Sequence, residues 1–150
     1  MKIRYSGPVE LHEPVHRCQY RVIYADTDTG GVVYYGNYLR LFEIGRTEFM
    51  RSRLRVSYRE LEAQGIILPV VESYVRYKAP ARYDDLLEIC SSLGGYSRIS
   101  IRFHHEIKCC RSGRLLVRGF TIHAATDRSG SLTRLPGGLY SGIGRLAESG

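Results

Sequence analysis

The chain has 150 residues, 43% of them hydrophobic and 25% charged, with a formal net charge of +7. That is one domain's worth of chain, long enough to bury about 68–70% of its unfolded surface, and its composition excludes a disordered or collagen-like protein. No run of 18 apolar residues is present to form a transmembrane helix, and the opening MKIRYSGP lacks the apolar stretch of a signal peptide, so a cytoplasmic protein is expected.

The first strand is expected over residues 17–24, where Cys18, Tyr20, Val22 and Tyr24 alternate with polar neighbours. A turn cluster, ADTDTGG, follows at residues 25–31. From about residue 37 to 54 the period becomes helical. Tyr38, Leu41, Phe42, Gly45 and Phe49 share one face, with Arg40, Glu43, Thr47 and Arg51 on another. Asn37 is the expected N-cap, and Arg40–Glu43 and Glu43–Arg46 are expected i,i+3 pairs. Gly45 costs about 1 kcal/mol against alanine inside a helix, which predicts a close approach by another element.

Residues 57–65 read as a linking stretch. Strands are then expected around residues 71–78, 86–93, 97–109 and 115–126, with turns at Pro80, Asp84–Asp85, Gly94–Gly95 and Ser112–Gly113. The tail, 127–150, carries no assignment. One long helix thus lies between the first of about five strands and the rest, and the short connections make those later strands antiparallel neighbours. A long antiparallel sheet can curl around that helix. Its other face then has no cover within the chain, and a second subunit or a polar row must supply it; the long strands also leave edges that want a partner.

Arginine supplies 19 of the 22 basic residues, which suits an anionic partner such as nucleic acid or a phosphorylated small molecule. The basic residues are scattered, without a run of five, which argues against nucleic acid. Cys18, Cys90, Cys109 and Cys110 form no CxxC and no zinc spacing, so four reduced thiols and no metal are expected.

Only five aspartates occur, and Asp26 and Asp28 stand together in the glycine-bearing loop ahead of the helix. Acidic residues there also stabilise a helix start electrostatically, and an Asx turn is the plain alternative to a catalytic role. The first turn, around Tyr35, Gly36 and Asn37, presents free backbone N–H groups to whatever lies in front of it. Such amides polarise a carbonyl and stabilise an oxyanion, while a neighbouring carboxylate serves as nucleophile or general base. The combination suits acyl transfer or hydrolysis.

The run YADTDTGGVVYYGNYLRLFEIGRTEFMR, residues 24–51, resembles the signature of the 4-hydroxybenzoyl-CoA thioesterase family of hot-dog proteins, and most of all its Tol-Pal-associated or short-chain acyl-CoA branch. The run VRYKAPARYDDLLEI, residues 75–89, is similar to the family as well, and the likeness spans roughly residues 17–126. The resemblance implies a single α+β domain with a hot-dog fold, a curved antiparallel sheet of about five strands wrapped around one long helix. It implies acyl-CoA thioester hydrolysis without a cofactor, in homodimers or homotetramers with sites at the dimer interface.

It implies Asp28, the second aspartate of the pair, as the catalytic carboxylate. The Tyr35 backbone N–H then holds the thioester oxygen, and Gly31, Val32 and Tyr38 border the substrate. Many relatives carry His where this chain has Tyr35. Asp26 is expected to shape the loop, and Glu43 and the strand histidines His104, His105 and His123 to be structural. An acyl carrier protein in place of coenzyme A is the alternative thioester donor. A hot-dog hydratase lacks its histidine here, and a pure acyl-CoA binding module has no use for Asp28.

Overall fold

The computed structural model describes residues 9–149. The opening octapeptide, read above as lacking a signal segment, lies outside the described residues. The chain runs through β1 (His16–Arg21), a 3₁₀ turn (Tyr24–Asp26), α1 (Asn37–Arg53), α2 (Tyr58–Ala63), β2 (Val70–Tyr77), β3 (Leu86–Tyr96), β4 (Ser100–Cys109), β5 (Leu115–Ala124) and α3 (Gly137–Ser149). The strands form one antiparallel sheet in the order β1-β3-β4-β5-β2, which leaves β1 and β2 at its edges. The expected architecture of five antiparallel strands against one long helix is the one observed.

α1 lies across one face of the sheet because its apolar stripe is continuous. Tyr38, Leu41, Phe42, Phe49 and Met50 are all buried. Tyr38, Leu41 and Phe42 pack with Leu87, Ile89, Ile107 and Val117. Phe49 and Met50 pack with Ile101 and Phe103. Gly45 does permit a close approach: a Cβ there would meet the Ser91 Oγ and would lie 2.7 Å from Ile89 Cγ2 on β3. Below Phe42 the His105 ring is stacked at 4.5 Å, and its Nδ1 lies 2.9 Å from the Ser91 hydroxyl.

Four expectations need correction. The first strand stops at Arg21, because residues 24–26 tighten into the 3₁₀ turn that the Asp26 carboxylate holds closed through the Ile23 N–H at 2.9 Å. The stretch 57–65 is a helix with a capping box: the Glu60 N–H donates to Ser57 Oγ at 3.1 Å, and the Ser57 N–H donates back to Glu60 Oε2. The unassigned tail contains α3, whose Leu139 and Ile143 enter the core beside Phe49 and Phe103. Its four glycines hide that helix from propensity, and burial of the apolar side outweighs them. Finally, the outer face of the sheet has cover within the chain. Residues 9–15 cross it, with Val9 packed on Phe120 and Ile122 and the His12 N–H donating to Ser92 Oγ. The His104 Nδ1 lies 2.5 Å from the Glu10 carbonyl oxygen on the same strap.

Two predictions follow from the core. Gly45→Ala improves helix propensity by about 1 kcal/mol but forces Ile89 and Ser91 aside, so denaturant unfolding is expected to show a net loss of about 1–2 kcal/mol. The second concerns pH. Burial, and then the Arg46 charge, pull His123 down to about 4, and burial takes His105 well below its ordinary value. Unfolded histidine titrates near 6.5, so below that pH the unfolded chain binds protons that the folded chain refuses. Stability is full above about pH 6.5 and falls toward pH 4. The denaturation midpoint should therefore drop between pH 7 and pH 5, and by less in His123→Gln; equal drops would assign the loss to other groups.

Candidate active site

The site grows from the loop between β1 and α1. Asp26 is buried, and its carboxylate is the loop's anchor. Tyr20 donates its hydroxyl to Asp26 Oδ2 at 2.7 Å, the Ile23 N–H donates to the same oxygen, and Arg40 of α1 pairs with Oδ1. Arg40 also donates to the Tyr20 hydroxyl at 3.0 Å. The Asp26 carbonyl accepts from the Tyr34 N–H and from Asn37 Nδ2, each at 2.8 Å. One residue thus ties β1, the loop and the first turn of α1 together. Asn37 is accordingly the first helical residue and not the N-cap, which is Gly36. The expected Arg40–Glu43 and Glu43–Arg46 pairs do not form either: among the described residues the ion pairs are Arg40–Asp26 and Arg51–Glu48.

Asp28 sits beyond this anchor, exposed, in a tight turn. Its N–H donates to the Val32 carbonyl at 2.8 Å, and the Gly31 N–H donates to the Asp28 carbonyl at 3.0 Å. Gly31 holds φ at +79°, a conformation that favours glycine. Oδ1 accepts from the Gly30 N–H at 2.8 Å and from the Val32 N–H at 3.4 Å. Those two donors orient the carboxylate and leave Oδ2 open. Across the loop, the Tyr35 and Gly36 N–H groups have no acceptor among the described residues. They are the orphan donors of a helix start.

Tyr35 is 63% exposed, and its carbonyl accepts from the Tyr77 hydroxyl at 3.2 Å. Tyr38 is buried, with its hydroxyl accepting from the Ala81 N–H at 3.3 Å. With Val33, Tyr77 and Pro80 these two tyrosines line a cavity of about 290 Å³ at the helix start. Of the expected site residues, Tyr35 and Tyr38 line this cavity, and Asp28, Gly31 and Val32 are not among its lining residues. Gly31 and Val32 shape the Asp28 turn, while Tyr35 and Tyr38 wall the cavity. The second motif packs under the first: the Val33 N–H donates to the Ala81 carbonyl, and Val32 bridges Arg82. The Asp84–Asp85 turn is internally satisfied, with Asp85 Oδ2 accepting from the Arg82 N–H.

Tyr20 and Arg40 escaped the sequence reading. Their signal was the aspartate itself, since a carboxylate buried beside a helix needs a donor one turn inside it. Among the described residues no group of three or more His, Cys, Asp or Glu side chains is disposed to hold a metal ion. Asp26→Ala strands the Tyr20 hydroxyl, the Ile23 N–H and the Arg40 cation together. It is expected to cost about 3–5 kcal/mol in denaturant unfolding, as for loss of one partner in a buried pair.

The chain is similar to several known proteins. An acyl-CoA thioester hydrolase, YbgC, of Escherichia coli O6:H1 is 37% identical over 97 residues, covering 65% of this chain and 72% of that protein. The crystal structure of the DHNA-CoA thioesterase of Staphylococcus aureus superposes with a TM-score of 0.82 at 30% identity, over 90% of this chain and 94% of that one. The 1,4-dihydroxy-2-naphthoyl-CoA thioesterase Slr0204 of Synechocystis gives 0.80 at 25% identity, over 89% and 98%. A family model matches residues 22–143, and the chain belongs to the family it describes, the thioesterase-like superfamily.

Proposed function

We propose that the chain is an acyl-CoA thioesterase in which Asp28 supplies the catalytic carboxylate. The observation that carries this reading is an oriented carboxylate in the loop that leads into a helix start with free amides, where Tyr35 lines an aromatic-walled cavity. The named activity of the YbgC relative, hydrolysis of acyl-CoA thioesters, supports the same chemistry.

In this mechanism the thioester carbonyl oxygen rests on the Tyr35 N–H, with the Gly36 N–H and the helix dipole behind it. As the carbonyl carbon becomes tetrahedral, negative charge collects on that oxygen. Amides fixed in place before reaction stabilise the charge, and one such donor is worth about 10²–10³ in rate. Asp28 Oδ2 either attacks the carbon or takes a proton from the attacking water. The tetrahedral species collapses by expelling the coenzyme A thiolate, a good leaving group. With water as nucleophile this gives the free acid directly; where Asp28 has attacked, water then cleaves the acyl–Asp28 anhydride to free the acid and restore the carboxylate. The Gly30 and Val32 N–H groups hold the carboxylate in place throughout.

Acyl carrier protein is the alternative thioester donor, since both carriers present the same bond. A homodimer or homotetramer fits the unpaired edge of β2, where Val70 and Val71 are exposed. A cytoplasmic setting fits the four free thiols.

The test is thiol release from acetyl-, butyryl-, hexanoyl-, palmitoyl- and benzoyl-CoA, with Asp28→Asn alongside. The variant is expected to keep the parent's unfolding midpoint, because Asp28 is exposed and bonds only within its own turn. It should lose at least about 10²-fold in turnover. Parent-level rates in the variant would remove Asp28 from the mechanism.

A further inference from the structure

A second cavity, about 350 Å³, lies farther along α1 between that helix and the sheet. Leu39, Glu43 and Arg46 form its helix wall, and Val70, Ser73 and Thr121 its sheet wall. The residues of α1 and β2 place the two cavities in series. The first lies at Tyr35, Tyr38 and Tyr77, the second at Leu39 to Arg46 and Val70 to Ser73. From Asn37 to Arg46 the helix rises about 14 Å, and a long helical side chain leans back toward the N-terminus.

The polar groups around Arg46 are unusual. Its Nε is buried without an acceptor, and no carboxylate forms an ion pair with it among the described residues. Tyr58 lies against the guanidinium as a hydrogen-bonding neighbour, and His105, which also feels its charge, holds a buried polar atom without a partner, Nε2. Burial keeps His105 and His123 neutral, so neither competes with Arg46 as a cation. His123 Nε2 is already 2.9 Å from Thr121 Oγ1. Of the other charged groups on the cavity, Arg40 is committed to Asp26, and Glu43 is solvent-exposed. Buried donors without acceptors are rare in native proteins and mark a place where an acceptor belongs. A guanidinium suits a carboxylate above other acceptors, because its planar fork matches the two oxygens.

We infer that Arg46 is a specificity-determining residue that receives the far end of the acyl group, and that the preferred acyl group ends in a carboxylate, as in a coenzyme A monothioester of a dicarboxylic acid. The inference rests on the proposed thioesterase reading for the position of the thioester, and it names the substrate class within that reading. Ser73 and Thr121 stand on the opposite wall.

The experiment measures binding and turnover separately. In the Asp28→Asn background, calorimetry compares adipoyl-CoA with hexanoyl-CoA and suberoyl-CoA with octanoyl-CoA, pairs matched in carbon number. At least one dicarboxylic member is expected to bind about tenfold or more tightly than its aliphatic partner, the worth of one charge-assisted bond. Arg46→Met should bring that ratio to about one, while Arg46→Lys, which keeps the charge and loses the fork, should retain part of it. A merely structural arginine would weaken both members of a pair alike and leave the ratio intact. A ratio near one in the Asp28→Asn protein, a ratio that survives Arg46→Met, or no binding of either diacid thioester would each overturn the inference. Turnover of all four thioesters by the parent protein with a ratio of one would sink this assignment alone. A ratio lost in Arg46→Met without turnover of any thioester would sink the catalytic reading alone.

Discussion

The Asp26 carboxylate is the interaction on which the site depends. It is buried at the meeting point of β1, the loop and α1, and each of its oxygens is claimed by donors from different elements. A buried carboxylate is costly unless fully bonded, and that cost gives it structural authority. Any movement of the loop away from the helix would leave the charge unpaired. The Asp28 turn and the free amides at Tyr35 and Gly36 therefore keep a fixed relation, although both are exposed to solvent. The order of this surface loop is a consequence of a single charge below it.

The fold supplies the frame for that charge. α1 lies on the sheet with Gly45 against β3, so the backbones come close where a side chain would hold them apart. The close approach seats the Arg40 stretch of the helix beside β1 and the Tyr20 hydroxyl. On the outer face, the strap of residues 9–15 covers Phe120 and Ile122, and His104 meets its backbone. The unpaired edge of β2 borders both cavities along α1, so whatever pairs with that edge also closes the groove in which the acyl group is proposed to lie.

The interior is more polar than its hydrophobic periodicity suggests. His105, His123 and Thr121 are all buried on the helix side of the sheet, with the Arg46 cation near them. Burial first, and the Arg46 guanidinium second, hold both histidines below their ordinary range. Among the described residues Arg46 then stands on the cavity without a carboxylate partner.

The sequence alone determined the elements whose physics is local. Alternation placed the strands, though β1 stops at Arg21 and β3 runs on through Gly94–Gly95 where the sequence predicts a turn. A 3.6-residue period placed α1, and the glycine-bearing turn before it holds Asp28. Gly45 in an apolar face signalled a close approach from the sequence itself. The Ser57–Glu60 capping box has a local spacing too, but residues 57–65 read as a link because the helix it starts is only six residues long. Tertiary structure alone decided the rest. Asn37 has the chemistry of a cap, yet its amide serves the Asp26 carbonyl, because that acceptor is brought to it from eleven residues away. Arg40 and Glu43 have the spacing of a surface pair, yet a buried carboxylate draws the arginine more strongly than a solvated one. α3 forms from a glycine-rich tail because a core surface waits for Leu139 and Ile143. The common reason is that hydrogen-bond and charge partners are chosen by proximity in space and by burial. A linear pattern states which groups are available, and only packing determines which of them meet away from water.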